Sequence, residues 1–250
     1  MNDKFILIRF YEELNDFLKP ELRKKDFRHI FFGNPTIKDT IESLGVPHPE
    51  VDLILVNGKS VDFSYHINHG DRISVYPEFE LLDITPVNHL RPEPLRNPRF
   101  ILDVHLGKLT AKLRMLGFDS LYSNNYSDPE IITIAIDEKR VILTHDTGIL
   151  KNSVVDRGYW VRSLQPQTQL FEVVQKFDLT GKMKPFTLCM ECNGKIQTFD
   201  KNRIKEKIPK RTMQFYDEFF ICKICGKVYW KGSHYQNMLE TIDKLKDSNA

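Results

Sequence analysis

The chain has 250 residues, of which 41% are hydrophobic and 28% are charged, and its formal net charge is +2. This is the composition of an ordinary soluble globular protein, and the length allows two or three domains. It excludes a membrane-spanning protein, because no apolar stretch approaches roughly 18 residues. The first apolar run contains acidic residues and is unlike a secretory signal, so we expect a cytoplasmic location.

The charge is unevenly distributed along the chain. Residues 1–90 carry 10 Lys/Arg against 15 Asp/Glu, whereas residues 181–250 carry 14 against 8. A basic C-terminal segment favours an anionic partner such as RNA, although basic surfaces are also common on proteins without one.

Residues 1–85 predict a small α+β domain. "KFILIRFY" alternates as a strand does, and Thr36 with Asp39 has the spacing of a capping box at a helix start. Asn57-Gly58 lies between two β-prone runs and indicates a hairpin, and "HGDRISVYPEF" supplies a last strand. This order of elements resembles the β-grasp, or ubiquitin-like, fold.

"LVNGKSVDF…INHGDRISVYP" is similar to the sulfur-carrier branch of that fold. Sulfur carriers end in a free Gly-Gly, whereas this chain continues through Glu78 and Phe79. We therefore expect a docking or structural role, with a protein partner, rather than sulfur transfer.

The next segment, residues 86–98, contains four prolines in 13 residues and predicts a semi-rigid linker. Residues 99–180 then alternate strand-like and helix-like stretches. Such alternation favours an α/β domain with a parallel sheet flanked by helices. Residues 181–240 contain all the cysteines and predict a zinc ribbon with a basic insertion, and residues 241–250 form a tail.

Two apolar strands in this α/β domain end in an aspartate. Asp103 follows "FIL" and Asp146 follows "VILTH", while Asp128 stands at a predicted helix start. Because ligands bind at the carboxyl ends of parallel strands, the three carboxylates are expected to meet there. Oxygen ligands suit Mg²⁺ or Mn²⁺, which can activate water for phosphodiester cleavage.

Each of these aspartates has an alternative interpretation as a helix cap, and for Asp128 either it or Ser127 could be the cap. Glu130 and Asp119 are possible fourth ligands. Glu130 can instead be a favourable charge at a helix start, and Asp119 a turn residue.

"FILDVHLGKLTAKLRMLGFDSLY…SDPEIITIA…KRVILTHDTGIL" resembles the PIN-like RNase family named after the C-terminal domain of the nematode Mut-seven exoribonuclease. The resemblance covers roughly residues 99–240, and the ubiquitin-like domain is similar to one that accompanies this family in bacteria. It implies a PIN-like fold and a catalytic site at Asp103, Asp128 and Asp146, which fall on the family's three acidic positions. Glu130, from its position beside Asp128, is the candidate fourth catalytic residue. Lys108 and Arg114 fall on the family's basic positions and imply contacts to RNA phosphates.

Two residues depart from the family pattern. His105 replaces an apolar residue, and His145 replaces the arginine of Leu-Thr-Arg-Asp. His145 is a candidate RNA contact, but a mostly neutral imidazole would bind phosphate more weakly than arginine. Both histidines can also be simple packed or solvated side chains.

The four cysteines form two pairs, Cys189 with Cys192 and Cys222 with Cys225. Two Cys-x-x-Cys knuckles offer the four thiolates that a structural Zn²⁺ prefers, although the 29-residue spacer is longer than usual and redox dithiols are the alternative.

The spacer between the pairs contains "KNRIKEKIPKR", with six basic residues and one acid. It is either an RNA-binding segment or a solvated loop. The candidate RNA-binding residues of the ribbon are Arg203, Lys205, Lys207, Lys210, Arg211 and His234. Trp230 either contacts RNA or packs against the ribbon.

The sequence as a whole predicts a metal-dependent ribonuclease whose zinc ribbon assists RNA binding. The alternative is a non-catalytic RNA-binding adaptor on a degenerate PIN-like fold, with the ubiquitin-like domain recruiting a partner.

Overall fold

The computed structural model of the protein describes residues 3–77, 90, 97–203, 208 and 210–248. Contacts divide the chain into two compact units. The first combines Met1–Arg96 with Asp146–Trp160, and the second combines Asn97–His145 with Val161–Ala250. Most of the predicted linker, residues 86–98, lies outside the described residues.

The helices and strands fall into three regions along the chain. The ubiquitin-like region contains β1 (Lys4–Phe10), β2 (Phe27–Phe31), α1 (Ile37–Ser43), β3 (Leu53–Val56), β4 (Lys59–Ser60) and β5 (Arg72–Tyr76). The central region contains β6 (Phe100–Leu102), α2 (Gly107–Met115), β7 (Ser120–Leu121), α3 (Asp128–Asp137), β8 (Val141–Thr144), α4 (Thr147–Leu150), β9 (Gly158–Trp160) and α5 (Pro166–Lys176). The last region contains β10 (Ile196–Phe199), α6 (Lys210–Phe215), β11 (Phe219–Cys222), β12 (Val228–Trp230) and α7 (Ser233–Asp247).

The first unit is built on a five-stranded mixed sheet of order β2-β1-β5-β3-β4. Strand β1 runs antiparallel to β2 and parallel to β5. The capping box at α1 is present, since the Asp39 N–H donates to Thr36 Oγ1 at 3.1 Å and the Thr36 N–H donates to Asp39 Oδ2 at 3.2 Å. Ile37 and Ile41 of this helix are fully buried in the core of the unit. The predicted α+β, ubiquitin-like arrangement is therefore confirmed.

The second unit contains parallel strands in the order β7-β6-β8. Phe100 of β6 lies opposite Ser120 of β7 and Val141 of β8. Helices α2, α3 and α5 bury apolar side chains, including Leu109 and Leu170. A parallel sheet flanked by helices is what the alternation of apolar strands and amphipathic helices predicts, and the α/β fold class is confirmed.

The C-terminal part of the second unit is an antiparallel sheet of order β10-β11-β12, followed by α7. Cys222 ends β11 and lies opposite Ile196 of β10. The core of this sheet is small, with Ile208 and Phe219 as its buried apolar residues. Within the described residues, no helix combines the length and the apolar character needed to cross a membrane.

Candidate functional site

Asp103 lies where the ends of β6 and β8 meet, and its side chain is 4% exposed. Its Oδ2 accepts hydrogen bonds from the Thr144 hydroxyl at 2.5 Å and from the His145 backbone N–H at 2.8 Å. Its Oδ1 accepts from the His105 backbone N–H at 2.8 Å, which caps the short turn that follows. Asp103 is therefore both a cap and a bridge between two strand ends, and three donors leave part of its acceptor capacity free.

The other two predicted acidic ligands are exposed. Asp146 caps α4, because its Oδ1 accepts from the Gly148 N–H at 2.7 Å. Asp128 is the first residue of α3, but it is not the cap of this helix. Ser127 forms the capping box there with Glu130, so capping does not explain Asp128.

Glu130 is occupied by that capping box. Its Oε2 accepts from the Ser127 N–H at 2.8 Å and from the Ser127 hydroxyl at 2.7 Å, and these hydrogen bonds lower the pKa of Glu130. The side chain is exposed. The structure shows that Glu130 takes part in the capping box of α3. Its catalytic role stays a prediction.

The only group of acidic, histidine and cysteine side chains in the described residues that is arranged to share one ion is the four cysteines. Asp103, Asp128 and Asp146 do not form such a group there. An Mg²⁺ or Mn²⁺ site at these residues therefore stays a prediction from the sequence.

His145 is half-buried and held through both ring nitrogens. Its Nδ1 lies 2.7 Å from the carbonyl oxygen of Val161, which can only accept. Its Nε2 lies 3.2 Å from Nε2 of Gln169, an amide that also donates to Ser163 O. Because the Val161 carbonyl only accepts, Nδ1 donates its proton to it. By contrast, His105 is exposed, with its Nδ1 3.5 Å from Asp103 Oδ1.

Arg114 is 4% exposed and does not face solvent, contrary to what a phosphate contact requires. Its guanidinium donates to the backbone oxygens of Ser120 at 2.8 Å, Glu191 at 2.8 Å and Met190 at 3.2 Å. The last two residues belong to the first cysteine knuckle. Arg114 therefore ties this knuckle to α2, and we leave it out of the proposed RNA contacts, while Lys108 on the same helix is exposed.

A second polar link joins the same knuckle to the parallel sheet. Asp119 Oδ1 accepts from Arg140 Nη1 at 2.8 Å and from Asn193 Nδ2 at 2.6 Å, and the Ser120 N–H donates to Asn193 Oδ1 at 3.2 Å. Burial alone would raise the pKa of Asp119, but the hydrogen bonds from Arg140 and Asn193 lower it. Asp119 thus has a structural role as the acceptor for Arg140 and Asn193. No local pattern in the sequence signals Arg140 or Asn193.

Replacing Arg114 by lysine is expected to reduce the free energy of unfolding of the second unit by about 3 kcal/mol. A lysine cannot reach three carbonyls at once, so buried or partly buried carbonyl oxygens lose their donor. Urea unfolding followed by circular dichroism measures the change. Lys108→Ala on the same helix is the control and should stay within about 0.5 kcal/mol of wild type. Equal stability of both variants would contradict the role of Arg114.

The four cysteine sulfurs all lie within 4.8 Å of one another. The sulfur of Cys189 lies 3.6 Å from that of Cys225, and the sulfur of Cys192 lies 3.4 Å from that of Cys222. A tetrahedral Zn²⁺ with Zn–S bonds of about 2.3 Å requires sulfur separations of about 3.8 Å, so the cluster could hold a zinc ion.

The thiol pKa values show why the cluster suits a cation. Burial and the neighbouring Cys192, Cys189 and Cys222 sulfurs raise the pKa of Cys225 to about 12. Burial also opposes ionisation of Cys222, but backbone N–H groups of residues 225 and 224 outweigh it and lower its pKa to about 7. A bound metal ion would offset the repulsion among the thiolates.

The predicted RNA-binding residues of the ribbon are only partly described. Arg203, Arg211 and His234 are exposed. Lys205 and Lys207 lie outside the described residues, as does the side chain of Lys210. Trp230 is 37% exposed and helps to line an apolar cavity of about 110 Å³, together with Phe186, Tyr229 and Tyr235.

Comparison with known proteins gave two matches to family models. The Mut7-C RNAse domain model matches residues 98–242, and the Mut7-C ubiquitin model matches residues 3–83. Neither the search of curated proteins nor the search of solved structures found a match.

Proposed function

Because the chain belongs to the Mut7-C RNAse domain family, we propose that it is a ribonuclease that hydrolyses RNA phosphodiester bonds with the help of Mg²⁺ or Mn²⁺. The observation that carries this proposal is the position of Asp103. A buried carboxylate at the joined ends of two parallel strands lies where α/β proteins bind their ligands. Its remaining acceptor capacity suits a hard cation.

Asp103, Asp128 and Asp146 are the residues proposed to hold the ion. When bound, such a cation supplies activation of water and offsets the negative charge that builds up on the phosphate. Exposed Lys108 on α2 is proposed to contact an RNA phosphate. We also propose Glu130 as a fourth acidic ligand and His145 as a contact to RNA.

The ribbon is proposed to carry one structural Zn²⁺ at the four cysteines and to assist RNA binding. Its exposed Arg203 and Arg211 support this role, because arginine cations contact phosphates without reading sequence, and the exposed His234 can donate a hydrogen bond. We propose the same contact to RNA for Lys205, Lys207 and Lys210. The ubiquitin-like domain is proposed to bind a protein partner.

Replacing Asp128 by asparagine tests the ribonuclease proposal. Asp128 is exposed and Ser127 caps its helix, so stability should stay within about 1 kcal/mol of wild type. RNA hydrolysis in Mn²⁺ should fall about ten-fold or more, because one metal ligand is lost. The measurement is the initial rate on a labelled RNA, together with the melting temperature.

Asp137→Asn is the matched control, since Asp137 is an exposed acid at the other end of α3. It should hydrolyse RNA as fast as wild type. An Asp128→Asn protein that retains the full rate would contradict the proposed site.

A non-catalytic RNA-binding adaptor is the second candidate function. The observation that favours it is that three protein donors already hold Asp103 in place, and that both ring nitrogens of His145 have protein partners. A site arranged in this way can persist without an ion. Tight RNA binding with no hydrolysis in either Mg²⁺ or Mn²⁺ would decide for the adaptor.

A further inference from the structure

Residues 146–160 lie within the stretch matched by the Mut7-C RNAse domain model, yet they form one compact unit with the ubiquitin-like domain. The chain enters that unit at Asp146, a proposed metal ligand, and leaves it at Trp160. We call residues 146–160 the crossover segment. The contacts of the crossover segment within this unit show that the ubiquitin-like domain holds it in place.

Two contacts hold the end of the crossover segment. The backbone N–H of Trp160 donates to Oε1 of Glu50 at 2.5 Å, and Glu50 is 3% exposed. The Trp160 ring lies 5.1 Å from the Phe17 ring, measured between centroids. Because Glu50 is buried, water competes little for this hydrogen bond, so the contact holds β9.

Two further contacts hold the middle of the crossover segment. Lys38 of α1 donates from Nζ to the backbone oxygen of Ser153 at 3.2 Å. His48, which is 4% exposed, hydrogen-bonds to the backbone of Val155, which is 2% exposed. Separate parts of the ubiquitin-like domain thus hold the crossover segment at different points.

The crossover segment depends on such contacts because its own local structure is weak. Helix α4 has four residues, far fewer than the roughly 12 to 15 that a helix needs to be stable by itself. Its order comes from packing, since Ile149 and Leu150 are buried. The position of Asp146, which caps α4, therefore depends on how firmly the crossover segment is held.

We propose that the ubiquitin-like domain acts on its own chain, holding the crossover segment, and that Glu50 is a positioning residue through which it fixes Asp146 for RNA hydrolysis. The effect on hydrolysis rests on the proposed function, whereas the holding of the segment does not. One ligand of the ubiquitin-like domain is then a segment of the same polypeptide. A separate protein partner would have to use a different face.

Hydrogen exchange of the full chain, measured by mass spectrometry, tests the holding of the segment. Glu50→Ala should speed exchange of the amides of residues 147–160 about ten-fold or more, while those of α2 stay unchanged. Glu50→Gln keeps an acceptor oxygen and should restore most of the protection. Unchanged exchange in Glu50→Ala would overturn the proposal, even if that variant hydrolysed RNA slowly.

Asp71→Asn is the matched control for general destabilisation. Asp71 is a buried acid of the same domain that accepts from Asn68 N, Tyr65 Oη and Asn57 Nδ2, all outside the crossover segment. In Asp71→Asn, the increase in amide exchange over residues 147–160 should be no larger than the increase over β1 and β2. A selective rise in this variant would contradict a specific role for Glu50.

RNA hydrolysis by the same variants tests positioning. Glu50→Ala should lower kcat about ten-fold with KM changed less than two-fold, and Glu50→Gln should recover the rate. Wild-type kcat in Glu50→Ala would overturn the positioning role. If the wild-type protein does not hydrolyse RNA, the positioning role fails with the proposed function, and the exchange measurement still decides whether Glu50 holds the segment.

Discussion

Replacing Cys222 by serine is expected to abolish zinc binding and to unfold the C-terminal ribbon. Cys222 is buried at the end of β11, with its sulfur 3.4 Å from that of Cys192. Structural zinc contributes about 10 to 16 kcal/mol in small zinc domains, which is comparable with the whole free energy of unfolding of a typical domain. The ribbon has a small apolar core of its own, around Phe219. Its fold should therefore depend on the metal.

Elemental analysis and hydrogen exchange over β10–β12 check this expectation. Wild type should contain about one zinc per chain, as a four-thiolate site requires, and the variant almost none. Lys223→Ser is the control, because Lys223 is an exposed neighbour between the cysteines of the same knuckle. A ribbon that stays protected from exchange after complete removal of zinc would contradict the expectation.

The second large effect is expected for Asp103→Asn. Asparagine has one acceptor oxygen. Its NH2 group would face either the Thr144 hydroxyl and the His145 N–H together or the His105 N–H, and all three are donors to Asp103. The free energy of unfolding should fall by about 2 kcal/mol. RNA hydrolysis should fall at least about a hundred-fold, because a metal ligand is lost as well.

Thr144→Val separates these two effects. It removes one donor to Asp103 and keeps the carboxylate, so it should lower stability and leave most of the hydrolysis rate. Urea unfolding and initial rates in Mn²⁺ measure both quantities for each variant. If Asp103→Asn hydrolysed RNA like wild type, Asp103 would not be a metal ligand in catalysis.

Structural features that depend on a short stretch of sequence were predicted correctly. The Thr36–Asp39 spacing predicts a capping box, and the structure contains it. Asn57-Gly58 predicts a hairpin turn, and both residues have positive φ between β3 and β4. The paired cysteines predict a cluster that could hold zinc, and their sulfurs meet. In each case the signal lies within a few residues or in an unusual residue type.

Features that depend on distant partners could not be predicted in this way. The resemblance implies that Arg114 contacts RNA, but its acceptors Met190 and Glu191 lie 76 and 77 residues further along the chain. Local spacing likewise shows that Asp146 follows a strand. It does not show that the residues after it join the ubiquitin-like domain, because that depends on contacts with Glu50 and Lys38.

The hydrogen bonds of Arg114 and Asp119 to the first knuckle can form only after residues 190–193 have been synthesised. Both side chains leave the ribosome long before residues 190–193, their later partners. Until then a buried guanidinium faces no acceptor from the knuckle. A truncated chain ending before Cys189 would keep this defect permanently, and the same weakness would follow in a full-length chain made under zinc starvation.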